Sequence, residues 1–345
     1  MNRDQVRGIL LGSAIGDALG MPVEILSARE IKRRYGRITE YFPAREDHKF
    51  LAGYPAGKWT DDTQLTLVDT ESMIACHGID MDHIAQMHIA ALHETESGWG
   101  GSTIDAVQRL EAGVHWSESG KTSRKNRGGG NGVAMKSALM LCDIDWDHLS
   151  ENNQDKHVYD HRMHLLEQFG RMTHDSEIGY VSGIVQAAAV LGVTELSCHY
   201  DGKWSDDVQN NISLLINMTA ISYEDAEQKD SHDRLSDRFA DLPYITKSMP
   251  DSGIRELFGN GSCYVYESLP VAYALFLRKK GSMECIYDAV NFGGDTDTIA
   301  SMVGALVGAM HGTKVFPQQL IDGLWKKDYI LDVADRFCST FGIED

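Results

Sequence analysis

A chain of 345 residues, 42% hydrophobic and 24% charged, can bury the core of one large domain or two ordinary ones. Its formal net charge of −19 is the opposite of the basic footprint of a nucleic-acid binder, and any anionic ligand must be met by local positive groups. The first residues lack the basic flank, long apolar core and cleavage site of a signal peptide, and the longest apolar run, Leu269 to Leu277, is too short to cross a bilayer, so no membrane association is expected.

Helical periodicity dominates the chain. Val6, Ile9 and Leu10 begin an apolar face that continues to Leu19. On the same segment Gly8, Gly12, Gly16 and Gly20 recur at four-residue steps, one stripe of a helix, and Gly304, Gly308 and Gly312 repeat the pattern far downstream. A glycine inside a helix costs about 1 kcal/mol relative to alanine. Two core helices approaching closely around a site would offset that cost. Leu65, Val68 and Met73 mark a further helix, and Ile104, Val107 and Leu110 another; Met81, Ile84 and Met87 are expected in the core. The glycine cluster Arg127-Gly128-Gly129-Gly130-Asn131-Gly132 is followed by a run, Val133 to Leu141, that is expected to be helical. Ile184 to Leu191 is a later buried helix.

Two polar segments, Asp145 to His164 and Tyr223 to Pro250, are expected as exposed excursions. Within the second, Leu235, Phe239 and Leu242 suggest a short amphipathic helix. His157, His161 and His164 share helical spacing on a polar stretch and are read as a solvated face. Strand alternation is scarce and no solenoid repeat is visible. The expectation is an all-α fold with one compact helical domain over residues 1–345. Six scattered cysteines with no CxxC pair give no thiolate metal site and fit a reducing, cytoplasmic setting.

The chemistry lies in two matching acidic steps, Thr60-Asp61-Asp62-Thr63 and Asp295-Thr296-Asp297-Thr298, each opening a helical run. Asp and Thr are favoured helix N-caps, and each step alone reads that way. Two such steps, one preceded by Phe292-Gly293-Gly294, point instead to carboxylates gathered around a hard divalent cation, because like charges held together oppose one another's ionisation. The glycine cluster can expose backbone N–H groups to an anion, with Arg124, Lys125, Arg127 and Lys136 as a basic island; the alternative is a solvated surface loop. No GK[ST] follows it and no strand precedes it, so it is neither a Walker loop nor a dinucleotide fingerprint. Trp99-Gly100-Gly101-Ser102-Thr103 repeats the theme.

Taken in order, Gly12 and Gly16-Asp17-Ala18-Leu19-Gly20, the Trp59 to Thr63 step, Gly98 to Ser102, Gly130-Asn131-Gly132-Val133-Ala134-Met135, Thr173-His174, Glu267-Ser268-Leu269-Pro270 and Gly293 to Thr298 resemble the ADP-ribosylglycohydrolase family over about residues 3–310. The resemblance implies an all-α, orthogonally packed domain with two Mg²⁺ or Mn²⁺ ions. Its metal ligands fall on Thr60, Asp61, Asp62, Asp295, Asp297 and Thr298, and its mobile acidic residue on Glu24. Its diphosphate and adenosine contacts fall on Gly128, Gly129, Gly130, Asn131 and Gly132 and near Trp99, Gly100 and Gly101. His174 would line the ribose or phosphate side. The chain departs from the family pattern at Lys136, where arginine is common, and at Asp175-Ser176, where proline usually follows the Thr-His pair.

The activity so implied is removal of ADP-ribose from a modified protein, with arginine-linked ADP-ribose as the first reading and release of free ADP-ribose. Asp62, with Asp61 second, would act on water, and Glu24 would gate the site. Serine-linked or acetyl-ester ADP-ribose is the alternative substrate. A non-catalytic ADP-ribose binder and a metal-dependent phosphatase are the competing classes. A monomer is expected.

Overall fold

The computed structural model describes residues 1–94, 98–123, 127–143, 153–200, 203–225 and 233–345. Among them are sixteen α-helices and no strand, only the isolated bridges Ser27–Gly293 and Gly130–Tyr264. The helices are α1 (Arg3–Gly20), α2 (Ala28–Tyr35), α3 (Asp61–Cys76), α4 (Met81–Glu94), α5 (Gly101–Glu111), α6 (Trp116–Ser119), α7 (Asn153–Thr173) and α8 (Glu177–His199). Then follow α9 (Asp206–Tyr223), α10 (Leu235–Phe239), α11 (Asp251–Phe258), α12 (Val265–Arg278), α13 (Glu284–Phe292), α14 (Thr296–His311), α15 (Gln318–Gly323) and α16 (Lys327–Phe341).

Local sequence explains many of the helix starts. Asn2 and Gln5 form a reciprocal capping box on α1, Ser27 and Glu30 do the same on α2, and Ser176 and Ser205 cap α8 and α9.

The glycine stripes set the centre of the molecule. A Cβ placed on Gly8 would lie 2.7 Å from the Gly308 carbonyl oxygen, on Gly12 2.1 Å from that of Gly304, on Gly16 2.0 Å from that of Ala300, and on Gly20 2.4 Å from that of Thr296. As one number rises the other falls, so α1 and α14 run antiparallel with their backbones in contact. The expected close approach is what the structure contains. Its consequence is positional: the end of α1 meets the start of α14, which delivers Asp17 and Glu24 to the second acidic step.

Most buried apolar side chains join one cluster that runs from Val6 to Cys338. Among the described residues two helices, at Arg3–Val23 and Glu177–His199, are long and apolar enough to span a bilayer, although neither is an unbroken apolar run. Their apolar windows are 94% and 72% buried inside the protein, so the core already takes up that surface.

Three other expectations change. Val133 to Leu141 is not a helix but a 3₁₀ turn at Ala134–Lys136 followed by further turns. Every residue of that run is buried, so it has no polar face to fix a helical period. The segment expected as an excursion from Asp145 to His164 becomes the first half of α7 from Asn153 onward, because Met163 and Leu166 bury against the core; residues 145–152 lie outside the described residues. Lys136 is buried rather than part of a basic island: its Nζ lies 3.0 Å from His88 Nε2, 3.8 Å from Asp69 and 4.2 Å from the centre of the Phe169 ring. Arg124 and Lys125, also assigned to that island, lie outside the described residues.

Met81 and Ile84 are in the core, whereas Met87 is half-buried and outside it. Leu235, Phe239 and Leu242 are buried around α10, and His157, His161 and His164 are exposed.

Candidate active site

Both acidic steps sit at helix starts. Thr60 is the N-cap of α3 and Asp295 that of α14, and neither side chain caps its own helix. The cap of α3 comes from another helix. Asp17 on α1 accepts from Thr60 N–H (3.0 and 2.9 Å to its two oxygens), from Thr63 N–H (3.1 Å) and from the Thr63 hydroxyl (2.6 Å). Asp17 was missed as a site residue. The available signal was one aspartate inside an otherwise apolar, glycine-spaced helix.

Asp62 then faces the second step. The hydroxyls of Thr60 and Thr298 donate to its Oδ2 at 3.2 and 3.3 Å, while its buried Oδ1 has no hydrogen-bond partner. Carboxylate oxygens of Asp17, Asp62 and Asp297 all lie within 4.8 Å of one another, and so do those of Glu24, Asp295 and Asp297. Asp297 belongs to both trios. Asp61 lines the same cavity with its Oδ1 turned toward Gly98 and joins neither.

Glu24 is held in place by an awkward backbone. Ile25 beside it has a φ of 71°, a left-handed conformation that a β-branched residue adopts at a cost of about 1–3 kcal/mol. Hydrogen bonds from Ile25 N–H to the Gly294 carbonyl (2.8 Å) and from Gly294 N–H to the Leu26 carbonyl (3.0 Å) fasten the loop to the residue before Asp295. Beneath it His48 keeps its Nε2 3.0 Å from the Met21 carbonyl and its Nδ1 accepts from the N–H groups of Phe50 and Leu51. That pattern, with burial lowering its pKa, makes His48 the neutral tautomer protonated at Nε2, 3.6 Å from Glu24.

Burial and mutual repulsion push these carboxyls far from their usual range. Desolvation, then Asp295 and Asp61, lifts Glu24 to about 8; desolvation, then Asp17 and Asp295, lifts Asp61 to about 8. Asp17 rises only to about 6, because desolvation is offset by its bonds to Thr63 and Thr60. Desolvation also drives Asp62 and Asp297 well above the normal carboxyl value, and Asp295 upward against the bond it accepts from Asn131. A set of buried carboxyls that cannot all ionise, with an orphaned oxygen among them, is the donor set of a hard cation. The residues fit a hard divalent cation on that ground.

The site opens into a cavity of about 1640 Å³. Its far wall is the glycine turn, fixed from three directions. Gly128 N–H donates to Ser102 Oγ (3.0 Å) while Ser176 Oγ donates to the Gly128 carbonyl (2.6 Å). Val265 N–H donates to the Gly129 carbonyl and Asn131 N–H to that of Cys263. The turn carries Asn131 to the acidic end, where Nδ2 donates to Asp295 Oδ2 at 2.6 Å. Ser176, a departure from the family pattern, therefore caps α8 and ties it to the turn.

His174 lies against Gly130 and Gly132, with its Nδ1 2.9 Å from Thr173 Oγ1 and a pKa lowered by burial and Lys136 to about 3, so the ring is neutral. Trp99, Gly100 and Gly101 line the cavity, and the Trp99 ring N–H donates to Gln64. Positive charge is supplied by Arg127, paired with Asp105, and by Arg171, paired with Glu167 and Asp175 and stacked on Tyr180. Arg171 escaped the sequence reading because it belongs to no motif and reaches the cavity from the end of α7.

Comparison with known proteins identifies the family. The ADP-ribosylglycohydrolase family profile matches residues 1–344. An uncharacterized protein of Archaeoglobus fulgidus is 28% identical over 96% of this chain and 95% of its own, and the uncharacterized protein YegU of Escherichia coli is 25% identical over 93% and 91%. The ADP-ribosylhydrolase ARH3 of Xenopus tropicalis is 24% identical over 90% of this chain and 88% of its own. A solved structure described as an ADP-ribosylglycohydrolase-related protein complex superimposes with a TM-score of 0.68 at 23% identity, covering 98% of each chain, a likeness of fold. With the profile spanning nearly every residue, the chain belongs to the ADP-ribosylglycohydrolase family.

Proposed function

We propose that this protein hydrolyses the bond between the anomeric carbon of ADP-ribose and a modified protein side chain, releasing free ADP-ribose. The observation that carries the reading is the pair of carboxylate trios sharing Asp297, with the orphaned Asp62 Oδ1, at one end of a cavity whose other wall is a fixed glycine turn. Thr60, Asp61, Asp62, Asp295, Asp297, Thr298 and Glu24 would hold two Mg²⁺ or Mn²⁺ ions, which would lower the pKa of water and orient the ribose diol.

The chain's own groups account for the rest. Asp62 would accept the proton of the attacking water, with Asp61 as the second candidate; as the bond from the anomeric carbon breaks, its electron pair leaves with the side-chain nitrogen or oxygen, which takes up that proton. Cleavage at the anomeric carbon builds oxocarbenium character, which the surrounding carboxylates stabilise. Asn131 holds Asp295 in register. The glycine turn, with Arg127 and Arg171, faces the diphosphate, and the neutral His174 ring packs beside it. Glu24 would gate the cavity, holding metal when the site is empty and moving aside when the sugar enters.

Arginine-linked ADP-ribose is the favoured substrate, because the ordered motif set resembles the arginine-hydrolysing branch of the family. The test is to incubate the protein with arginine-, serine- and acetyl-ester-linked ADP-ribose, with and without EDTA, and identify what is released. Free ADP-ribose from the arginine conjugate, lost on chelation, is expected. Release from the O-linked conjugates alone would keep the reaction and replace the leaving group. Inorganic phosphate as the product, or turnover indifferent to EDTA, would refute the proposal.

A further inference from the structure

On a chain of net charge −19, five of the 32 lysines and arginines fall between positions 29 and 37: Arg29, Lys32, Arg33, Arg34 and Arg37. All five are exposed. They belong to α2 and its C-terminal flank, the element that begins four residues after Glu24. Arg34 pairs with Asp47, and Arg37 with Glu284 and Asp288. Arg29, Lys32 and Arg33 make no side-chain hydrogen bond or close ion pair among the described residues; the one carboxylate on their helix, Glu30, is bound by Ser27 and lies in the field of Arg33 and Arg34. Spaced three and four residues apart, they share one helical face, opposite the buried Ile31.

The helix that bears this face is held next to the site. The N-terminus of α2 is clamped on the Gly293–Gly294 pair, where a Cβ on Gly293 would meet the Ala28 nitrogen at 2.6 Å, and Asp295 follows at once. On its other side the Arg34–Asp47 pair (3.4 Å) joins α2 to the loop whose Phe50 lines the cavity. Three exposed cations on the helix that abuts the second acidic step, on an acidic protein, are a local reversal of the molecule's field.

Resting on the hydrolase reading above, we propose that the outward face of α2 is a docking surface for an acidic segment of the polypeptide that carries the ADP-ribose. Charge complementarity selects the partner, and the size of the patch selects its class. Three cations within one turn and a half of helix match a short run of aspartate or glutamate. A long polyanion such as nucleic acid would extend beyond the patch into the field of the remaining −19 charge. The surface thus selects targets by the sequence beside the modified residue, while the cavity reads the ADP-ribose.

The experiment compares the wild type with the triple variant Arg29→Glu/Lys32→Glu/Arg33→Glu and with the neutralised Arg29→Gln/Lys32→Gln/Arg33→Gln. Substrates are one ADP-ribosylated peptide with glutamate flanks, the same peptide with neutral flanks, and the free amino-acid conjugate. Binding of a fluorescent hexaglutamate peptide is measured in parallel. In the wild type KM should be lower for the acidic peptide, and this preference should fade as salt shortens the screening length. Charge reversal should raise that KM by about tenfold, with kcat and the other two substrates unchanged and the glutamine variant between. Equal KM for both peptides in the wild type, or a preference that survives charge reversal, would overturn the proposal. So would tighter binding of single-stranded DNA than of hexaglutamate to this face. If no conjugate is hydrolysed, the hydrolase reading fails, and hexaglutamate binding that charge reversal abolishes still establishes the surface.

Discussion

At the scale of single residues, two buried aspartates a few ångströms apart do opposite things to stability. Asp17 satisfies three donors on Thr60 and Thr63. Asp17→Ala would leave those donors buried and unpaired, and should cost about 2–4 kcal/mol in a urea titration. Asp62, with one oxygen unpaired and repelled by Asp17, Asp61 and Asp295, is held at the expense of stability. Asp62→Asn or Asp297→Asn should therefore leave the cation-free Tm unchanged or raise it, while turnover falls by about a hundredfold or more. Lower Tm together with normal turnover would reverse the roles assigned to these groups. The sequence displayed Asp62, Asp295 and Asp297 because they lie within compact acidic steps. It concealed Asp17 because its partners are backbone N–H groups more than forty positions away, and a backbone donor leaves no mark on residue type. Lys136 was misread for a related reason: its partners Asp69 and His88 come from two different helices, and a lysine near a glycine turn looks the same whether it faces a phosphate or the core. Lys136→Met should cost about 3–5 kcal/mol by leaving Asp69 as an uncompensated buried carboxyl, and Asp69→Leu added to it should recover most of the loss, as a double-mutant cycle would measure.

At the scale of elements, the α1–α14 contact is both the foundation of the fold and the device that builds the site. Each acidic group depends on register. If α1 moved away from α14, Asp17 and Glu24 would leave Asp297. Gly12→Ala or Gly304→Ala would put a methyl group 2.1 or 2.0 Å from a facing carbonyl oxygen, with no flexible side chain to yield. Either change should destabilise by about 3 kcal/mol or more and lower turnover together with the urea midpoint. Gly100→Ala, whose Cβ would meet nothing within 4 Å, should leave the midpoint in place. This pairing was legible because a four-residue glycine spacing on two helices has few other physical uses. The helix expected from Val133 to Leu141 was not. Its residues are buried on all sides, and a segment without a polar face has no periodicity to distinguish a helix from a chain of tight turns. The glycine turn before it is therefore not the mouth of a helix. Its conformation is fixed by Ser102, Ser176, Cys263 and Val265, brought from three other parts of the chain.

At the scale of the whole molecule, the concentration of buried carboxyls makes folding, protonation and cation binding one coupled equilibrium. Without a cation, the folded chain keeps protons on Glu24 and Asp61 to about pH 8 and on Asp17 to about pH 6. The unfolded chain releases the same protons near pH 4. Between these limits the unfolded state binds fewer protons than the folded one, so stability from these groups falls as pH rises. Scanning calorimetry in EDTA should accordingly show Tm dropping from about pH 5 to about pH 8. A divalent cation takes the ionised carboxylates, expels those protons and stabilises only the folded chain, by about 2.7 kcal/mol at a hundredfold excess over Kd. Its increment in Tm should be small near pH 5, where protons compete, and should grow through pH 8, with proton release measurable by calorimetry in buffers of different ionisation enthalpy. An increment equal at both ends of that range would mean that the carboxyls are not where the cation binds. A Tm in EDTA that rises with pH would mean that they are ionised in the folded protein and balanced by something other than a metal. The linked measurement separates the architecture of the site from its catalysis, since it needs no substrate.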